Sequence, residues 1–236
     1  MADVTVYGFP VSTYVNVVRL VLTHKGVPFE FHDLEDEMVG PRHLALHPFG
    51  RVPILDHAGF RVYETAAIAT YVDEAFDGPS LQPSNVTARA RMHQWISALN
   101  SYYYPYIAFH LGHERLIYPR LGIAPDEKVV AVALPKIAVA LGVMEGALAQ
   151  GGGYLVGDQP TLADFFLLPT LTTLGLTPEG PSLLAAKPHI AAWRARLEAL
   201  PSVMRDEGAG HGGAAYRPAG RACTCLGQHA PAEVLA

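Results

Sequence analysis

Cysteine is almost missing from this chain. Cys223 and Cys225 are the only two in 236 residues, and both stand near the C-terminus. That excludes a disulfide-stapled scaffold, a four-cysteine zinc site and a cysteine nucleophile in the body of the protein. The CxC pair, with His211 and His229 nearby, sits in a Gly/Ala-rich stretch and reads as incidental thiols. Charge is sparse as well, at 17%, with 17 basic side chains against 22 acidic ones. A formal net charge of −5 leaves no basic face for nucleic acid or an anionic membrane. The start, MADVTVYGFPVSTY, lacks the basic residues and long apolar run of a secretory leader. The 11 histidines show no HExxH or related spacing, so no metal is expected. Only residues 129–149 are long and apolar enough to test as a membrane span. Lys136, following Pro135, would sit near mid-bilayer there, and no basic cluster flanks either end. The stretch reads as a buried helix, and the protein as soluble and cytoplasmic.

What the chain has is apolar residues, 50% of the total, enough for a core without staples. The length fits one large domain or two small ones. Residues 4–7 form a short apolar strand closed by Gly8 and Pro10. Val17, Val18, Val21 and Leu22 share a helical face within 16–25, and Gly26 suits a left-handed stop. Phe29 and Phe31 alternate with polar partners as a second strand would. Two further strands, 52–56 and 60–63, flank His57-Ala58-Gly59 as a hairpin, and a helix follows over 65–76. The order is β-α-β-β-β-α, the thioredoxin-like arrangement, over residues 1–78. GPSLQPS marks a linker at 79–86. Strand signals then stop. Helical periods over 88–101, 126–150, 161–174 and 187–200 make 87–207 an all-α bundle. Residues 208–236 have no sustained period and read as a flexible tail. The fold class is α+β.

Four runs in this order carry a resemblance: YGFPVSTY…VRLVLTHKGVPFE at 7–30, HPFGRVPIL at 47–55, YETAAIATYV at 63–72 and PTLADFFLLP at 160–169. Together they resemble the glutathione transferase superfamily across about residues 4–205, and most closely its serine-type, phi-like plant and bacterial branch. The resemblance implies conjugation of glutathione, as co-substrate, to small hydrophobic electrophiles by a homodimer.

It also implies roles for particular residues. The Val52–Pro53 peptide is expected to be cis, turning the Val52 backbone outward to pair with the cysteinyl part of glutathione. Glu64 and Thr65, where a strand enters a helix, are expected to hold the γ-glutamyl ammonium and carboxylate; Thr65 can equally cap its own helix. Ser12 is the expected catalytic donor. Its hydroxyl would stabilise the glutathione thiolate and lower a thiol pKa of ~8.5. Ser12 also suits a plain helix cap, and Thr13, then Tyr7, are the rivals, with Tyr14 a further phenol nearby. For the glycyl carboxylate the donors at hand are Arg42, His43 and Arg51. Tyr103, Tyr106 and His110 share a face at helical spacing and, with Arg115, would form the electrophile site. Thr161 and Asp164 make a Thr-x-x-Asp capping box, which is structural. Phe49 stands where relatives insert an aromatic key into the partner subunit. Other readings of the same site are a glutathione-dependent peroxidase or dehalogenase, a ligand carrier, or an interaction protein that reuses the fold.

Overall fold

A computed structural model of the chain describes residues 3–206. The tail expected at 208–236, with Cys223 and Cys225, lies outside the described residues.

Strand β1, Val4–Gly8, buries Val4 and Val6 and turns Thr5 and Tyr7 to the other face. Helix α1, Thr13–Lys25, begins at Ser12, whose Oγ accepts the Val15 N–H at 3.4 Å. It ends at Gly26, where φ is 70°, a conformation only glycine adopts without strain. The cap signal at Ser12 starts the helix three residues before the apolar period begins at Asn16. Strand β2, Glu30–Asp33, pairs parallel with β1 across this crossover. Helix α2, Pro41–Leu46, then leads to β3, Ile54–His57, and β4, Phe60–Tyr63. The hairpin between them turns on Ala58 and Gly59, with φ of 51° and 90°, the both-positive pattern of a tight primed turn. Strand β3 starts at Ile54, two residues later than the sequence suggests. Pro53 has no N–H to give a ladder. The sheet order is β2-β1-β3-β4, with β3 antiparallel to both neighbours. Helix α3, Thr65–Ala75, closes this thioredoxin-like half.

The remainder is helical. Helix α4, Val86–Ala98, is capped by Asn85, whose Oδ1 accepts from Thr87 and Ala88 N–H at 2.9 and 3.1 Å. It continues as wide π-type turns over Leu99–Tyr103 and Pro105–Ile117, mostly beyond the helix that the sequence suggests at 88–101. Helix α5, Glu127–Gln150, is long and apolar enough to cross a bilayer, yet Val130, Ile137, Leu141, Met144 and Leu148 are packed into the bundle. Helix α6, Leu162–Gly175, is apolar almost all round and forms the centre. Helices α7, Gly180–Ala185, α8, Pro188–Glu198, and α9, Pro201–Asp206, complete the described residues; α7 and α9 are too short to leave a period in the sequence.

Two buried polar knots hold this together. The Asp164 carboxylate accepts from Thr161 N–H at 2.8 Å, as the capping box requires, and also from Thr161 Oγ1, Leu155 N–H and Trp193 Nε1. Lys25 Nζ, buried against Asp73 at 3.3 Å, also reaches the carbonyls of Gly78 and Pro79. Asp73 takes the Leu81 N–H at 2.9 Å. The segment joining the two halves is thereby fastened to α1 and α3. Helix α1 packs on α3 and also on α6 and α9, so both halves hold it.

Candidate active site

Strand register gathers the expected residues. Tyr7 pairs with Ile54, and Ile54 with Tyr63. The C-terminal end of β1, the N-terminal end of β3 and the C-terminal end of β4 therefore lie at one edge of the sheet. The turn carrying Ser12, the Val52–Pro53 peptide and the Glu64–Thr65 pair all emerge there. Ser12 lies 40 residues before Val52 and 52 before Glu64, and antiparallel pairing brings the three segments to the same end.

At Val52–Pro53 the peptide is cis, as the motif implies. Pro53 is buried, Val52 half-buried, and the Val52 N–H and C=O make no backbone hydrogen bond to another described residue. Glu64 has φ 72° and ψ 117°, a strained state for a residue with a side chain, and such strain collects at ligand clamps. It holds Glu64 exposed just before α3. Glu64, not Thr65, is the cap residue of α3; Thr65 is the first helical residue and is buried. No side chain caps α3, so its leading N–H groups stay available to an anion.

Ser12 is half-exposed, whereas Thr13 is buried. The Ser12 oxygen accepts one N–H, and its own hydrogen remains free to donate. Tyr7 lies within the sheet, its ring tilted against His32 at 5.3 Å. Tyr14, in the first turn of α1, reaches the helical half. Its hydroxyl donates to Asn100 Oδ1 at 2.7 Å, and its ring stacks on Tyr104 at 4.1 Å. Burial raises the Tyr14 pKa, and the nearby Tyr104 and Glu64 raise it further. Burial also pushes Tyr104 up to about 12 against the pull of Arg51. Tyr14 thus feels Tyr104 and Glu64, and Tyr104 feels Arg51, where the two halves meet.

Several expected donors are occupied elsewhere. His43 is fully buried; its Nδ1 accepts the Val39 N–H at 3.0 Å and its Nε2 donates to the Arg51 carbonyl at 2.9 Å. Both ring nitrogens are used, which fixes the Nε2–H tautomer and leaves nothing for a ligand. Arg42 is held by both oxygens of Glu37 at 2.8 and 3.0 Å. Arg51 is exposed, and its charge is felt by Tyr104 and His47. His47 is buried beside Tyr63, with ring centroids 4.4 Å apart.

The electrophile side is rearranged more strongly. Tyr103 is buried in the bundle, donating to the Ala140 carbonyl at 2.8 Å. Arg115 is clamped by Glu127 at 2.7 and 2.8 Å and by Glu179 at 2.7 Å. Both are structural. Tyr106 and His110 stay half-buried, ring against ring at 5.2 Å, with His110 Nδ1 on the Pro105 carbonyl. A second run of rings, Tyr104, Phe109, His113 and Tyr118, is in contact at 5.1, 5.1 and 5.9 Å. Spacings of five, four and five suit π-type turns, whose i→i+5 bonds widen each turn. Asn100 carries no sequence signal at all.

The chain matches two family models, the glutathione S-transferase N-terminal domain over residues 6–80 and the glutathione S-transferase C-terminal domain over residues 98–201. It is 36% identical to glutathione S-transferase 3 of Zea mays over 213 residues, 87% of this chain and 93% of that protein. Among solved structures it is similar to glutathione S-transferase III in apo form (TM-score 0.79, 34% identity, 87% and 96% of the two chains). It is also similar to glutathione S-transferase-I bound with lactoylglutathione (TM-score 0.78, 30% identity, 86% and 97%). The chain belongs to the glutathione S-transferase family, with plant phi-class members among its relatives, and it conjugates glutathione to electrophiles.

Proposed function

We propose that this transferase is of the serine type, with the Ser12 hydroxyl donating to the sulfur of bound glutathione. The observation that carries this is the convergence of the Ser12 turn, the cis Val52–Pro53 peptide and the strained Glu64 at one sheet edge. Glutathione lies along that edge. Val52 pairs with its cysteinyl backbone. Glu64 faces its ammonium group, and Thr65 with the α3 N-terminus holds its α-carboxylate. Arg51 faces the glycyl carboxylate. A hydroxyl hydrogen bond and the positive end of α1 together favour thiolate over thiol. Thr13 is the rival hydroxyl, and Ser12 is the more exposed of the two.

The electrophile rests against Tyr104, Phe109 and His113, with Tyr106 and His110 at the margin. The two units run over 1–78 and 87–207. The protein acts as a cytoplasmic homodimer, with Phe49, 71% exposed, as the residue offered to the partner subunit.

The test is an ultraviolet titration of the bound thiolate from about pH 5 to about pH 9, around the free thiol value. Ser12→Ala returns the thiol pKa toward its free value and lowers turnover with little change in glutathione affinity. Thr65→Ala mainly weakens binding. Full activity in Ser12→Ala with loss in Thr13→Ala refutes the assignment.

A further inference from the structure

The Ser12 side chain is not rigidly held by its own capping bond, which is long at 3.4 Å. The direction of its free hydroxyl depends on what fixes the first turn of α1. From the thioredoxin-like side, the Ser12 N–H closes a turn on the Phe9 carbonyl at 3.1 Å. From the helical side, the contact is Tyr14, two residues on. Its hydroxyl reaches Asn100 at 2.7 Å across 86 residues of sequence, and its ring lies on Tyr104 at an interplanar angle of 27°.

Asn100 and Tyr104 are four residues apart where α4 widens into π-type turns. That widening lets both face α1 while Tyr103, between them, turns into the bundle to bond Ala140.

We propose that Tyr14 and Asn100 are positioning residues for thiol activation: their hydrogen bond, made between the two halves, sets the first turn of α1 and with it the aim of the Ser12 hydroxyl. The inference rests on the assignment of thiol activation to Ser12. The phenol stays protonated through the working range, since burial and Glu64 both raise its pKa, so the donor is always present. The same ring stack leads through Tyr104 to Phe109, so the helical half that receives the electrophile also holds the loop that activates the thiol.

The thiolate titration tests this with Tyr14→Phe, Asn100→Ala, the double variant, Ser12→Ala and Tyr103→Phe. Tyr103→Phe is a matched control: it also removes one tyrosine hydroxyl bond of the same segment, but one that points away from α1. Tyr14→Phe and Asn100→Ala each raise the bound thiol pKa by about half a unit to one unit, the range set by losing one hydrogen bond. The double variant goes no further than the singles, because one bond is broken in all three. Turnover falls while KM for glutathione holds, and Tyr103→Phe leaves the pKa in place. If Ser12→Ala shifts the pKa but Tyr14→Phe and Asn100→Ala do not, the strut is refuted and the Ser12 assignment stands. An equal shift in Tyr103→Phe refutes it too, by showing general loosening. If Ser12→Ala shifts nothing, the Ser12 assignment fails, and the strut falls with it.

Discussion

Replacing Asp164 by Asn changes one atom and should unfasten the helical half. The carboxylate has no exposed surface and receives four hydrogen bonds, from Thr161 N–H, Thr161 Oγ1, Leu155 N–H and Trp193 Nε1, at 2.7 to 2.9 Å. Burial raises its pKa, and the four donors oppose that rise. An amide offers one oxygen where the carboxylate has two. If that oxygen serves Leu155 and Trp193, the NH₂ faces Thr161. The Thr161 hydroxyl can rotate to accept, but the Thr161 N–H cannot. One buried donor is orphaned at about 1–3 kcal/mol, and charge assistance is lost at the bonds that remain, for a total of about 2–4 kcal/mol. Asp164→Ala orphans three fixed N–H groups and opens a cavity, so it is the worse variant. For a protein of this length the Asn variant lowers Tm by about 4–16 °C. Urea unfolding followed by far-ultraviolet circular dichroism measures the change without using Trp193, itself one of the donors. An Asn variant within about 0.5 kcal/mol of the parent, or an Ala variant no worse than Asn, would refute the reasoning.

Lys25→Met strips the buried cation from Asp73 and from the Gly78 and Pro79 carbonyls, and should destabilise by about 3–5 kcal/mol, read from thermal melts. His47 gives a pH dependence. Its pKa is lowered by burial first, and then by His43 and Arg51, so the unfolded chain binds the proton more tightly than the folded one. The stability held by neutral His47 is complete above the usual histidine pKa of ~6.5 and is lost as pH falls below it. His47→Asn should flatten the difference in urea midpoint between pH 7.5 and pH 5.5; an unchanged slope would show that other groups carry it.

The local devices were readable because each is written by neighbours in the chain. Ser12 as a cap, Gly26 as a stop, the Ala58–Gly59 turn and the Thr161/Asp164 box involve partners within a few residues. The alternation and helical periods that give the β-α-β-β-β-α order and the bundle are equally short-range. The cis Val52–Pro53 peptide is likewise written in a short motif.

Long-range pairing is what residue type does not announce. His43 is as plausible a ligand as any histidine until it is seen to staple Val39 to Arg51 inside the fold. Arg115 resembles a free cation in sequence, yet its partners are Glu127 and Glu179, 12 and 64 residues away. Tyr103 and Tyr104 are indistinguishable as letters; a widened helical turn sends one into the core and the other onto Tyr14 of α1. Sequence alone determined the two-part fold and the transferase family, since both rest on short-range signals repeated in a fixed order. Only the tertiary structure decided which aromatic and charged groups are tied to distant partners, because helix phase and those partners are set when the two halves pack together.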